Sequence, residues 1–189
     1  MSELTEIYIE VHQERFLEEL KEFLSIPSIS TLPKHRRDID RACEWVAKRL
    51  REAGMQHVEL ILTGGHPLVY AEWMGAPGKP TVLCYGHYDV QPPDPLDEWT
   101  TPPFEPTVRN DDIFARGAAD DKGQMYIHVK AAEALLQTRG RLPVNVKFLI
   151  EGEEEVGGGA VDQYVELNAE RLRSDVRSEE RRVGKECRL

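Results

Sequence analysis

The stretch Thr81-Val-Leu-Cys-Tyr-Gly-His-Tyr-Asp-Val-Gln-Pro-Pro93 decides the fold. It opens on an apolar run and closes on Gly86, His87, Asp89 and two prolines. A short apolar run bounded by turn residues reads as a buried strand. Side chains two apart on a strand point the same way, so His87 and Asp89 share one face at the strand's end. One can bind a metal while the other orients it. A His-x-Asp pair by itself is more often structural, so the reading depends on what joins it.

Two stretches further along the chain do so. Arg116-Gly-Ala-Ala-Asp-Asp-Lys-Gly123 reads as a loop opening a helix over about 122–138, with Met125, Val129, Ala132 and Leu136 on one face and Gly140 at its end. Val144-Asn-Val-Lys-Phe-Leu-Ile150 has the β-branched and aromatic bias of a strand. It runs into Glu151-Gly-Glu-Glu-Glu-Val-Gly-Gly-Gly159. Strand, helix and strand form one β–α–β crossover, which makes the two strands parallel. Both strands then end at the same sheet edge, and ligands of open α/β sheets bind at that carboxyl edge. His87, Asp89 and the run 153–155 reach it from the strands, and Asp120 from the mouth of the helix.

The remaining chain supplies the layers. Residues 5–25 and 38–53 carry apolar positions at three- and four-residue steps, which predicts two helices. In the second, Ile39, Ala42, Cys43, Val46, Ala47 and Leu50 form the apolar face, and Gly54 is its natural stop. Strands are expected over 57–62 and 68–74, divided by Gly64-Gly65. The proline-rich segment 91–107 is expected to be an ordered loop anchored by Trp99 and Phe104, with a turn at Asp111-Asp112 and a last helix over 160–172.

Composition narrows the class. Hydrophobic residues make up 40% and charged residues 31% of 189, the balance of one soluble globular domain with a core. A net charge of −10 argues against a nucleic-acid partner bound through a basic surface. No secretory signal is evident, and no apolar run approaches the ~18 residues of a membrane span, so no membrane partner is expected. Cys43, Cys84 and Cys187 are widely spaced without a CxxC, which predicts a reducing, cytoplasmic setting.

Zinc and similar divalent ions take His nitrogen and Asp/Glu oxygen, and His87, Asp120 and Glu155 supply that set. Asp120, central among them, could bridge two ions. Asp89 would hold the other ring nitrogen of His87 and so choose its tautomer. Glu154 would stand beside the metals as a base for a bound water. Taken singly, each feature has a plainer reading: Asp120-Asp121 as a helix cap, the glutamate run as a solvated turn. The cap reading is kept for Asp121. His12, His35, His57, His66 and His128 receive no role.

The three stretches together resemble the leading motifs of the M20 family of metallopeptidases, in order and spacing, over about residues 10–175. Tyr85 to Leu96 with Trp99 is most similar to the carnosinase-like dipeptidase branch; deacylases of the family more often place Thr between the His and the Asp. The resemblance implies a zinc-exopeptidase-like α/β catalytic domain, three-layer α-β-α with a mixed, largely parallel sheet, here incomplete. It implies two zinc ions, with manganese or cobalt as alternatives. His87 would bind one, Glu155 the other, and Asp120 both. Glu154 would be the general base, Asp89 the support of His87, and the Asp120–Asp121 bond cis. The implied reaction is hydrolysis of the amide bond of a dipeptide or small peptide, the full-length protein being a homodimer. An N-acyl amino acid deacylase on the same scaffold, or a non-catalytic fragment, are the alternatives.

The pattern breaks near the end. The family places an acidic ligand at the end of the next strand and a His far downstream. After Val176 the sequence instead reads Arg177-Ser-Glu-Glu-Arg-Arg-Val-Gly-Lys-Glu-Cys-Arg-Leu189, with five basic and three acidic residues. A central strand is not expected from such a segment. Residues 1–176 are therefore read as the N-terminal part of the catalytic domain and 177–189 as an atypical, non-native tail. Weak metal binding and little hydrolysis are expected of this chain alone.

Overall fold

A computed structural model of the chain describes residues 3–178. Two long helices come first, α1 (Glu3–Leu24) and α2 (Arg36–Ala53). The six positions singled out on α2 are all buried, and Gly54 ends the helix at φ 96°, where its N–H donates to the Arg51 and Leu50 carbonyls. Only a residue without Cβ adopts that left-handed backbone at no cost. Strands β1 (His57–Ile61), β2 (Leu68–Trp73) and β3 (Thr81–His87) follow.

Where the proline-rich segment 91–107 ends, the turn expected at Asp111-Asp112 belongs to a small hairpin, β4 (Thr107–Arg109) with β5 (Asp112–Phe114). Asn110 and Asp111 make its two-residue turn, both at positive φ (51° and 67°), and such turns match the twist of the strands they join. Helix α3 (Lys122–Arg139) and strand β6 (Asn145–Glu151) complete the crossover. The expected single last helix is two, α4 (Ala160–Leu167) and α5 (Ala169–Leu172), divided at Asn168. Asn168 turns its side-chain amide back onto the Tyr164 carbonyl, the kind of local bond that competes with a continuing helix.

The five-stranded sheet has the order β1-β2-β6-β3-β7, β7 being Val176–Ser178. The two pairings on the β1 side are antiparallel; β3 is parallel to both β6 and β7. His87 lies opposite Glu151 in the β3–β6 register, so both strands do end at one edge. The alternation of β2 serves two cores. Val69, Ala71 and Trp73 pack with α1, α2 and α3, whereas Leu68 and Tyr70 join Leu83, Leu149 and Leu172, with Val161 and Tyr164 of α4 against them. The result is three layers, helix on both faces of a mixed sheet.

β7 corrects one expectation. A strand does form across the boundary placed at 176: Val176, Arg177 and Ser178 pair with Val82, Leu83 and Cys84. Asp175 seats it, its N–H donating to the Thr81 carbonyl (2.9 Å) and its carboxylate accepting the Thr81 N–H (2.8 Å). Ladder bonds need only backbone, and an edge position tolerates polar side chains that a buried central strand would not. The rest of the tail, residues 179–189, lies outside the described residues. No helix among the described residues is long and apolar enough to cross a membrane.

Candidate metal centre

His87 ends β3 and is fully buried, as are Tyr88, Asp89 and Val90 after it. Backbone bonds hold this segment: Tyr88 N–H to the Glu151 carbonyl (2.8 Å) and Val90 N–H to the Ser28 carbonyl (2.9 Å). The Ser28 hydroxyl donates to the Tyr88 carbonyl (2.6 Å) and the Tyr88 hydroxyl to the Pro67 carbonyl (2.6 Å). The strand end that carries His87 is thus fixed from three directions.

Ligand atoms of His87, Asp120 and Glu155 lie within 4.8 Å of one another. The His87 Nε2 is 3.0 Å from Asp120 Oδ1. Its Nδ1 is 3.0 Å from the Asp89 carbonyl oxygen and 3.3 Å from Asp89 Oδ1. Asp89 therefore lies behind the ring and Asp120 in front of it. The Asp120–Asp121 peptide bond is cis. Glu155 comes from a short 3-10 turn, Glu154–Val156, after β6. Its backbone N–H donates to Asp89 Oδ2 (3.1 Å), and the Gln91 amide donates to its carboxylate (2.7 Å). Glu154 sits half-buried on the same turn.

The electrostatics suit a cation. Burial alone would lower the pKa of His87, but hydrogen bonds to Asp120 and Asp89 outweigh it and push it up to about 11. Carboxylates thus make a positive charge favourable at the ring. Burial raises the Glu155 carboxyl, with Gln91 opposing and Asp120 and Glu154 adding to the rise. An imidazole and two carboxylates, one of them also carrying like-charge neighbours, are the donors hard and borderline divalent ions take.

Asp121 departs from its expected role. It occupies the cap position of α3 but makes no side-chain cap bond there. Its Oδ2 instead accepts the His87 backbone N–H at 3.1 Å. Gly86 makes this possible, since a Cβ at that position would lie 2.6 Å from the same oxygen. The carboxylate is thus committed to a buried backbone N–H, a group that costs free energy when left unpaired.

Three further residues bear on the site and were given no role of their own from sequence. Gln91 holds Glu155, as above. Glu151 is 2% exposed and accepts the Tyr85 hydroxyl through Oε1. Its Oε2 has no hydrogen-bond partner among the described residues, and burial pushes its carboxyl up to about 7. Glu153 reaches back to the 63–66 loop, where His66 donates its backbone N–H. Glu151 and Glu153 stand inside the quoted glutamate run, and alternation along a strand, which puts residues two apart on one face, gives no hint that they take different partners.

With the geometry in place, the chain can be set beside known proteins. The model of peptidase family M20/M25/M40 matches residues 83–182, just over half of the sequence. The chain belongs to that family. It is 34% identical over 182 residues to the Beta-Ala-His dipeptidase of Rattus norvegicus, covering 89% of this chain and 37% of that protein. The crystal structure of human carnosine dipeptidase 1 superposes with a TM-score of 0.83 at 35% identity, covering 90% of this chain and 39% of that one. An M20 family metallo-carboxypeptidase from Sulfolobus solfataricus superposes at 0.80 with 42% identity, covering 87% and 37%. The chain thus spans little more than a third of the relatives it matches.

Proposed function

We propose that this chain carries the front half of the metal centre of a dipeptidase. The observation that carries the reading is the convergence of His87, Asp120 and Glu155 at one sheet edge, with Asp89 behind the histidine ring. In a protein of the family's full length, His87, Asp120 and Glu155 would hold the divalent metal, zinc by the family's chemistry. A bound divalent ion polarises the amide carbonyl and acidifies water. The chain's own residues do the rest: Asp89 keeps the His87 proton on Nδ1 so that Nε2 faces the ions. Glu154, on the turn beside Glu155, accepts the proton of the attacking water and passes it to the leaving amine.

Relatives named for dipeptides support the substrate class. Among the described residues a single group of three donors converges, fewer than two four-coordinate ions require. Metal binding by the 189-residue chain should therefore be weak and turnover small.

The test is cobalt or zinc titration of the chain beside H87A and E154Q. Uptake by wild type and by E154Q, with loss in H87A, supports the reading; uptake indifferent to H87A sinks it. Dipeptides against N-acetyl amino acids then separate peptidase from deacylase in a chain extended to the family's length. Dipeptide turnover at ordinary enzyme rates by the 189 residues alone would overturn the expected weakness.

A further inference from the structure

The loop 63–67 touches both stretches that bear the proposed metal ligands. On one side the Pro67 carbonyl takes the hydroxyl of Tyr88, the residue between His87 and Asp89 (2.6 Å). On the other, the His66 backbone N–H donates to the Glu153 carboxylate (2.9 Å), one residue before Glu154 and two before Glu155. These contacts join residues far apart in sequence through one short loop.

The Glu153 side chain sits in a slot shaped for it. A Cβ at Gly65 or at Gly158 would overlap its carboxylate. Its backbone carbonyl meanwhile accepts the N–H groups of Val156 (3.2 Å) and Gly158 (3.1 Å), closing the turn that carries Glu154 and Glu155. Glu153 therefore holds that turn from both ends, side chain outward to the loop and main chain inward.

The loop is itself anchored. The Thr63 hydroxyl donates to the His66 carbonyl (2.8 Å) and accepts the Gly65 N–H (3.1 Å). Arg36, the first residue of α2, donates to the Gly65 carbonyl (3.3 Å) and lies 3.1 Å from His66 Nδ1. A brace so fixed can define the separation of the two ligand-bearing segments.

The geometry points to Glu153 as a positioning residue: seated in the Gly65–Gly158 slot, it sets where Glu155 stands relative to His87. This rests on the metal reading above. Supports behind a ligand orient it and typically carry about 10–100-fold in metal affinity.

The test is cobalt titration of the full chain, read by the visible absorption of the bound ion and by affinity, with folding followed by circular dichroism. E153A and G65A should each weaken cobalt about 10–100-fold and alter its spectrum. E153Q keeps an acceptor for the His66 N–H and should restore wild-type affinity to within about threefold. The G65A/E153A double variant should bind no more weakly than E153A, because the added Cβ has no carboxylate left to displace. Wild-type affinity and spectrum in E153A, or fully additive losses in the double variant, would overturn the proposal. Should E153A fail to fold, G65A and E153Q decide: unchanged cobalt binding in G65A, or loss in a folded E153Q as large as in G65A, overturns it. If wild type takes up no cobalt, the metal reading falls and this falls with it; if only the variants behave as wild type, the brace alone falls.

Discussion

Asp89 Oδ2 accepts the backbone N–H of Glu155 at 3.1 Å, while its Oδ1 lies 3.3 Å from the His87 ring. One buried carboxylate thus ties two segments that are 66 residues apart. A role confined to the histidine tautomer would need only Oδ1.

Two variants separate those duties. D89N retains an oxygen for one contact and places an amide at the other; D89A removes both. Groups behind a metal ligand carry about 10–100-fold in affinity, so D89N should weaken zinc by that order and D89A by more. Competition with a chromophoric chelator measures it. Equal affinities for wild type and D89A would show that Asp89 serves packing alone.

The ion cluster between α1 and α3 makes the fold acid-sensitive. Glu19, 9% exposed, takes Lys130 (2.5 Å), Tyr126 (2.6 Å) and Arg15 (2.8 Å). Burial opposes its ionisation, but these bonds win and hold its pKa at about 2, below the ordinary 4.5. The unfolded chain therefore binds the proton first as pH falls. The stabilisation is whole above 4.5 and lost between 4.5 and about 2, up to about 3 kcal/mol. Urea unfolding across that window should show the loss, and E19Q should flatten this part of the acid limb while lowering stability at neutral pH.

Much of this site was legible in sequence because its key residues lie in local patterns. The spacing of Ile39 to Leu50, the apolar run into His87 and the crossover around α3 each depend on near neighbours, and the three described the edge where His87, Asp120 and Glu155 meet. The rest depends on distant partners. Nothing near Glu153 announces that His66, 87 residues earlier, donates to it, and nothing near Asp121 says that a strand end rather than its own helix claims its carboxylate. The β4–β5 turn was placed one residue late, at Asp111-Asp112, because Asn110-Asp111 lacks the glycine that usually marks such turns.

Lys122 gives a separate test of how the N-terminal layer is joined to the site. It is fully buried and donates to the Phe23 (3.0 Å) and Ile26 (2.7 Å) carbonyls just where α1 ends. Burial brings its pKa down to about 7. K122M keeps the volume but leaves both oxygens with only their backbone partners, costing about 1–3 kcal/mol. K122A adds a cavity and should cost about 2–5 kcal/mol. Chemical denaturation of the two variants should show that order, and equal losses would mean that the carbonyl bonds, not the space, carry the effect.

Two glycines at the edge should rank by what opposes a new Cβ. At Gly123 it would meet the Ala118 carbonyl, which is backbone of the same tight loop that bears Asp120. At Gly86 it would meet the Asp121 carboxylate, the far end of a side chain, at 2.6 Å, and Met125 Cβ and Cγ only at 3.1 Å. Overpacking costs about 1–3 kcal/mol, and the larger share belongs where the obstacle is main chain. G123A should therefore lose more stability than G86A. Zinc affinity should fall in both, in G123A because the loop carrying Asp120 shifts and in G86A because Asp121 leaves the His87 N–H. Unfolding titrations with parallel zinc competition report the two quantities. A G123A protein within about 0.5 kcal/mol of wild type and of equal affinity would mean that this loop does not hold Asp120 in place.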